Sequence, residues 1–294
     1  MTSLSTHEQK TVGMTEDEYA LFRDLIEKEF GIVMKGDKRL TLHTKLSHRL
    51  SILDIRSYKD YYDFIISEPS KEEFYSFMAH ITNNETYFQR ELGRITLVAG
   101  LLDDIKRQRQ KKDQKRITFL SAGCSTGEEA YTLKIMLMET GLFAWGWEVK
   151  VIGIDVSRSA VKKARNAVYT KNSFRRLDGT DEFSQKYFDR RGDLYTLKSA
   201  YRSQVEFRHG NILDPASWGG IQDIDVIFCR NVLIYMSDNA IGRITENFYR
   251  HLADEGYLFI GSSESLLNKT DLLVPECRES LIIYRKNLKC SPKR

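Results

Sequence analysis

The chain has 294 residues, 41% hydrophobic and 29% charged, with a formal net charge of +4, a mixture that fits a soluble protein of one large domain plus a smaller one. No stretch approaches the ~18 consecutive apolar residues of a membrane-spanning helix, and the polar start MTSLSTHEQKTVG does not read as a signal peptide. Cys124, Cys229, Cys277 and Cys290 form no CxxC pair and the histidines are scattered, so neither a zinc site nor any other metal is expected, and the pattern is that of a reduced, cytoplasmic protein.

Residues 1–14 read as a flexible N-terminus and residues 15–81 as a helical domain. In TEDEYALFRDLIEKEFGI, Thr15 with Glu18 three positions on makes a capping box. Tyr19, Phe22, Leu25, Ile26 and Phe30 then keep the helical period until Gly31 stops it. A second helix runs from Leu40 to Leu53 beside Lys38 and Arg39, and carries Lys45, His48 and Arg49. Lys45 and Arg49 are four apart and share a face, which is either solvated or meets an acidic helix of a partner. A third helix starts near Ser57, with Tyr58, Tyr61, Tyr62 and Ile65, and a fourth spans Lys71 to Ile81.

Residues 82–116 read as a linker. It opens with the polar run TNNETYFQRE, continues as a helix from Leu92 to Arg109 and ends in KRQRQKKDQKR, with seven basic residues and one acidic. That run is a wet helix end or a nucleic-acid patch. It lacks interleaved aromatics and any zinc-finger, RNP or KH pattern, so no nucleic-acid partner is expected.

From residue 117 to 288 strands and helices alternate. Strands are expected at Ile117–Ser121, Val149–Ile154, Val226–Phe228, Tyr257–Ile260 and Leu281–Tyr284, and helices at Gly127–Thr140, from Ser159, and at Asp238–Leu252. The alternation predicts an α/β domain around a parallel sheet covered on both faces. Residues from about 170 to 208 are too polar and too long for one crossover; Tyr187, Tyr195, Leu197 and Val205 suggest short strands, hence a small inserted β-subdomain. Residues 289–294 read as a frayed tail.

The loop Ala122-Gly-Cys-Ser-Thr-Gly127 ends a strand and opens a helix, the place where open sheets hold ligands. Glu128 and Glu129 follow at once. They would repel a pyrophosphate from the favourable end of the helix dipole, and neither GxGxxG nor the Lys-Ser/Thr of a P-loop is present. A cationic ligand such as S-adenosylmethionine suits this loop better, although acids in a first helical turn are also ordinary capping. Asp155, ending the second strand in VKVIGIDVS, is placed to accept the ribose hydroxyls of an adenosine, of a nicotinamide cofactor as readily as of S-adenosylmethionine. The missing phosphate loop favours the latter. In DVIFCRNVLIY, Arg230, Asn231 and Tyr235 stand beyond a strand end, either lining a pocket or capping a turn.

TNNETYFQRE, SAGCSTGEEAYTLKI, GIDVS, HGNILD, DVIFCRNVLIYMS and GYLFIGSSESL together resemble the chemotaxis receptor protein-glutamate methyltransferases over about residues 15–285. The resemblance implies an all-helical N-terminal domain, a Rossmann-like methyltransferase sheet and a small inserted β-subdomain. It implies transfer of a methyl group from S-adenosyl-L-methionine to glutamate side chains of the receptors' cytoplasmic helices for sensory adaptation, leaving S-adenosyl-L-homocysteine. It places Asn84, Thr86, Arg90, Gly123, Gly127, Glu128, Glu129, Asp155, Asn211, Ile212, Arg230 and Asn231 at the cofactor, with Glu129 as a ligand contact, and Tyr235 near the transferred methyl group. Arg90 and Tyr235 are expected to align the reactants. The basic helix bearing Lys45 and Arg49 is expected to meet the acidic methylation region of a receptor, and the β-subdomain a receptor's C-terminal peptide. Two positions depart from the pattern: Gln89 stands where the family has an aromatic, and Ala130 where it has a proline.

Overall fold

Thr15 opens α1 (Glu16–Phe30): its hydroxyl accepts from Glu18 N–H while the Glu18 carboxylate accepts from Thr15 N–H. The capping box read from the sequence is therefore present, and Gly31, at φ 68°, closes the helix. The computed structural model describes residues 13–67, 71–142, 146–175 and 180–292, in two units divided after Thr82. Nearly all of the expected flexible N-terminus, four residues of the insertion and the last two of the tail lie outside the described residues.

The first unit adds α2 (Arg39–Ile52), α3 (Tyr58–Ser67) and α4 (Glu72–Ile81). Phe22, fully buried on α1, is ringed by Tyr58, Tyr61, Tyr62 and Phe77 at centroid distances of 5.6–6.5 Å. Lys45 and Arg49, expected on a face that docks a receptor, both make hydrogen bonds within their own unit. Both turn into the unit. Arg49 forks the buried Glu73, which also accepts from Tyr61 Oη at 2.7 Å. Lys45 Nζ donates to Ile81 O at 3.0 Å, one of the carbonyls that the end of α4 leaves without a helical partner. A buried carboxylate and an orphan carbonyl each demand donors, and spacing along α2 alone does not reveal them.

The second unit begins with the segment before α5 (Leu92–Lys111) and contains β1 (Arg116–Ala122), α6 (Glu128–Glu139), β2 (Glu148–Asp155) and α7 (Arg158–Asn166). Then come β3 (Val168–Tyr169), α8 (Thr180–Tyr187), β4 (Phe188–Arg191), β5 (Leu194–Leu197), α9 (Ser199–Arg202) and β6 (Val205–His209). β7 (Ile224–Cys229), α10 (Asp238–His251), β8 (Leu252–Ile260), β9 (Leu273–Arg278) and β10 (Leu281–Lys286) complete it. The main sheet has the order β6-β2-β1-β7-β8-β10-β9. Its first five strands are parallel, and β10 and β9 add antiparallel edges. The sheet is thus mixed rather than wholly parallel. Along β1, Ile117 and Phe119 pack on one face with residues of α5 and α6, and Leu120 and Ala122 on the other with residues of α10. Burial on both faces is why these strands read as unbroken apolar runs.

Two boundaries differ from the sequence reading. β6 pairs in parallel with β2, Gly153 opposite Phe207, so the insertion ends before Val205; β3, β5 and β4 alone form its three-stranded antiparallel sheet. The expected linker is part of the second unit, because α5 lies against β1 and β8. Its end is pinned by Arg109, whose Nε donates to Asp225 Oδ1 at 2.6 Å and whose Nη2 donates to Asp223 O at 2.5 Å. Asp225 in turn accepts from Thr118 N–H at 2.8 Å on β1. Five cations of the basic run, Lys106, Arg107, Arg109, Lys112 and Arg116, are ion-paired, so it is not a free cationic stripe.

Both charges of the Arg109–Asp225 pair are buried. Arg109→Met leaves the Asp225 carboxylate without its cation and is expected to cost about 3–5 kcal/mol, read as a lower urea midpoint; Asp225→Asn on the same background is expected to restore part of it.

Candidate cofactor and active site

The chain order reverses between β1 and β7, which makes the carboxyl ends of these strands the crevice where an open sheet binds ligands. At the end of β1, Gly123 takes φ 77°, and a Cβ there would lie 2.6 Å from Val232 Cγ2; both the conformation and the contact require glycine. Four of the loop's amides are already occupied. Gly123 N–H and Cys124 N–H donate to Ile154 O, at 2.8 and 3.0 Å. Ser125 N–H donates to Asp155 Oδ2 at 2.7 Å, and Gly127 N–H to Cys124 O at 3.0 Å. These four amides are not offered to a phosphate.

Asp155 receives Ser125 N–H on one oxygen and Ser157 N–H, at 2.8 Å, on the other. Each oxygen retains acceptor capacity. Burial raises its pKa, opposed by the N–H donors of Ser157, Ser125 and Val156. At the end of β6, Asn211 Oδ1 accepts from Leu213 N–H at 3.0 Å, and Ile212 O accepts from Trp218 Nε1 and Asn247 Nδ2. Gly210 N–H donates to Asp155 O at 2.9 Å, which joins this turn to the acid.

The two acids after Gly127 diverge. Glu128 is buried and accepts from Thr126 Oγ1 at 2.6 Å and Ser173 Oγ at 2.9 Å, tying α6 to the turn that leads into the insertion. Glu129 accepts from Ser121 Oγ and from Arg230 Nε, each at 2.6 Å. Arg230 continues to Arg90 O at 2.6 Å. Glu129, expected as a ligand contact, thus has a protein donor on each oxygen.

The segment 84–91 is held from several sides. Ser125 Oγ donates to Asn84 O at 3.0 Å, and Arg175 reaches Thr86 O at 3.3 Å and Glu85 Oε1 at 2.8 Å. Phe88 is fully buried among Phe174, Phe188 and Tyr169, at 4.9–5.2 Å. Gln89, at the departed position, sits at φ 60° and donates its N–H to Thr132 Oγ1. Arg90 donates to Glu85 O at 2.9 Å and lies over the Tyr87 ring at 5.6 Å, with Arg175 at 4.9 Å from that ring.

Beyond β7, Asn231 adopts φ 59°. Its Oδ1 is buried without a hydrogen-bond partner among the described residues, an orphan acceptor of the kind that a ligand donor would satisfy. Tyr235 ends the short turn Leu233–Tyr235 and is 40% exposed. Of the expected residues, hydrogen bonds or direct packing link Asn84, Gly123, Glu129, Asp155, Arg230 and Arg90 into one constellation. Lys45 and Arg49 belong to the other unit. Sequence reasoning missed Ser121, Ser125, Arg175 and Glu264; only the quoted motif GSSESL signalled the last. Among the described residues no cluster of His, Cys, Asp and Glu could hold a metal, and no helix is long and apolar enough to cross a membrane.

Comparison with known families gives two matches. The family described as "CheR methyltransferase, SAM binding domain" matches residues 84–279, and "CheR methyltransferase, all-alpha domain" matches residues 17–82. The chain belongs to the CheR methyltransferase family. It is similar to chemotaxis protein methyltransferase 2 of Vibrio cholerae, 32% identical over 275 residues that cover 92% of this chain and 94% of that one. The chemotaxis protein methyltransferase of Borreliella burgdorferi is 26% identical, covering 92% and 96%. A probable biofilm formation methyltransferase, WspC, of Pseudomonas putida is 36% identical over 68% of this chain and 46% of its own. The protein is therefore an S-adenosylmethionine-dependent methyltransferase, with a Rossmann-like sheet, and S-adenosylmethionine is its cofactor. The residues present fit that group: four loop amides are spent, a carboxylate ends β2, and the Asn231 Oδ1 acceptor is unsatisfied among the described residues.

An ionised Asp155 is the form that accepts from hydroxyls. Its pKa lies above the ordinary carboxylate value, so affinity for S-adenosylhomocysteine is expected to be full at pH 8 and to decline as pH falls through that raised pKa, earlier than a free carboxylate would protonate. Asp155→Asn is expected to weaken binding roughly 10–100-fold, the worth of a charged hydrogen bond, and to flatten the pH dependence. Calorimetry across pH 5–8 (roughly the range between ordinary carboxylate and neutral conditions) reads both.

Proposed function

We propose that this methyltransferase acts on glutamate side chains of the cytoplasmic helices of chemotaxis receptors and leaves methyl esters there. The observation that carries the reading is a site with hydrogen-bond acceptors and paired ions but, among the described residues, no free base at its rim. Cys124 and Cys229 are fully buried, with pKa values pushed up by that burial, and His209 is held against Val156 O at 3.1 Å. A substrate carboxylate, with a reference pKa of about 4.3, is ionised at neutral pH and needs no base. Bound S-adenosylmethionine supplies the electrophilic methyl group.

The chain's own residues then have to bind and align. Asp155 holds the ribose hydroxyls, and Asn231 Oδ1 takes a donor of the same ligand. Asn84, Thr86, Gly123, Asn211 and Ile212 wall the ligand with backbone and amide groups. Glu129 and Arg230 act as a pair that fixes the wall rather than as two separate ligand contacts. Arg90 keeps donors beyond the one spent on Glu85 O, and these orient the substrate carboxylate, with Tyr235 packing beside it. The grip has to stay loose, because negative charge on the attacking oxygen falls as the bond forms and a tightly held ground state reacts slowly.

The insertion supplies a finer reading. β4 is an edge of its small sheet, with Asp189, Arg190 and Arg191 exposed. Beside it lies a cleft of about 390 Å³ lined by Phe188, Arg190, Tyr195 and Lys198 among others. A receptor's C-terminal peptide adding as a further strand would use that edge. The cytoplasm is the compartment where such receptor helices are found.

Incubation with labelled S-adenosylmethionine and a chemoreceptor cytoplasmic fragment is expected to leave base-labile label on the receptor; label confined to RNA or small molecules, or none at all, sinks the reading. Arg90→Ala is expected to lower kcat roughly 100-fold, as misplacement of reactants does, with S-adenosylhomocysteine binding reduced less; an unchanged rate removes Arg90 from the mechanism. Lys45→Ala and Arg49→Ala are expected to lower the melting temperature rather than raise the receptor KM.

A further inference from the structure

The turn after β7 exposes four consecutive N–H groups, from Asn231 to Ile234, in a segment that bonds to no strand. All four go to one side chain. Glu264, on the turn after β8, accepts on Oε1 from Val232, Leu233 and Ile234 N–H at 2.9, 2.7 and 3.2 Å. Its Oε2 accepts from Asn231 N–H at 2.9 Å and from Gly261 N–H at 2.5 Å. A Cβ at Gly261 would stand 2.7 Å from Oε2 and 3.0 Å from Asn231 N, so glycine there admits the carboxylate. The acid's own turn is fixed on both flanks. Ser262 N–H and Oγ donate to Glu91, and Leu266 N–H donates to Tyr284 Oη at 3.0 Å.

We propose that Glu264 is a positioning residue for methyl transfer: its carboxylate gathers five backbone amides and thereby sets Asn231, Val232 and Tyr235 against the cofactor loop. Three consequences of that turn converge on the site. Asn231 is held at φ 59° with its backbone N–H spent and its side-chain Oδ1 left open. Val232 is pressed onto Gly123, which fixes the distance between this turn and the loop after β1. Tyr235 leaves the end of the same turn, its N–H bonded to Val232 O at 3.2 Å. Without the carboxylate, four adjacent amides lose their acceptor, and the turn relaxes toward conformations in which Asn231 gives up the left-handed region. The inference rests on the methyltransferase reading for its catalytic consequence, but not for its effect on ligand binding.

Glu264→Gln keeps the shape and one acceptor oxygen, and places an NH₂ group against amides that need an acceptor. It is expected to weaken S-adenosylhomocysteine binding roughly 10-fold or more, as loss of charged hydrogen bonds does, and to lower kcat roughly 100-fold by misplacement, with the receptor KM unchanged. Glu264→Asp keeps the charge and both oxygens, and is expected to recover part of the binding. Hydrogen exchange of residues 231–234 in the ligand-free protein gives a reading without activity: slow in the wild type, fast in Glu264→Gln and intermediate in Glu264→Asp. The proposal is overturned if folded Glu264→Gln binds and turns over within about twofold of wild type, below what one such bond is worth. It is equally overturned if binding and rate fall only in proportion to the unfolded fraction. Should Glu264→Gln fail to fold, exchange and binding in Glu264→Asp decide by the same criteria. A wild type that binds S-adenosylhomocysteine but labels no receptor fragment defeats the receptor reading while leaving the exchange and binding results to judge Glu264.

Discussion

The ion pair between Glu129 and Arg230 holds together what the sheet only brings near. The Arg230 side chain is 2% exposed and that of Glu129 is 11% exposed. Desolvating both charges is expensive, and further hydrogen bonds on each partner help to offset that cost. Ser121 on β1 donates to the second Glu129 oxygen, and Arg230 donates onward to the carbonyl of Arg90. One pair thus spans β1, α6, the end of β7 and the segment before α5. Glu91 extends the reach, 3.8 Å from Arg230 and hydrogen-bonded to Ser262 after β8. Removing either charge would leave the other buried without its main partner, so the four segments are fixed jointly.

The same logic answers why two acids follow the loop's last glycine. As free anions they would only repel a phosphate. In the fold each is directed to a different structural neighbour, Glu128 to the start of the insertion and Glu129 to the end of β7. Their charge still disfavours a phosphate, and the three loop amides spent on Ile154 O and Asp155 are not offered to it. Selection of an adenosine ligand without phosphates is therefore a by-product of how the crevice is braced.

Regular elements were legible wherever one residue type repeats with one period. The Phe22 stripe of α1, its Thr15–Glu18 cap and the apolar runs of β1, β2 and β7 stand where the pattern put them. β9 escaped because its sequence, LVPECR, is an exposed edge interrupted by Pro275, with neither alternation nor an apolar run. β6 was assigned to the insertion because its alternation is the same whichever strand it pairs with; only the register with β2 decides. Within the site, Asp155, Arg230 and Asn231 were legible as polar residues closing apolar strands. Their partners were not. Glu264 lies 33 positions from Asn231, and Lys45 and Arg49 face Ile81 and Glu73, 36 and 24 positions away. Spacing along a helix reports which residues share a face, not what the face meets.

A site that transfers a methyl cation to an anion faces a particular electrostatic demand. It must admit a carboxylate without holding it so well that the loss of charge on methylation is penalised. The cations described here satisfy that demand by being partly spent. Arg230 is paired with Glu129 and Arg175 with Glu85, while Arg90 spends one donor on a carbonyl and lies over the face of Tyr87. Each retains directional donors, and Arg230 and Arg175 present little unbalanced charge. The negative side is handled alike: Glu264 gathers backbone amides on both oxygens, and each Asp155 oxygen takes one amide and keeps room for a further donor, which orients the loops without adding a mobile countercharge. Alignment then becomes the chief resource left to the protein, worth roughly 7–11 kcal/mol when geometry is well held. It explains why so much of the polar inventory at the ends of β1, β2 and β7 is invested in fixing backbone rather than in touching a ligand.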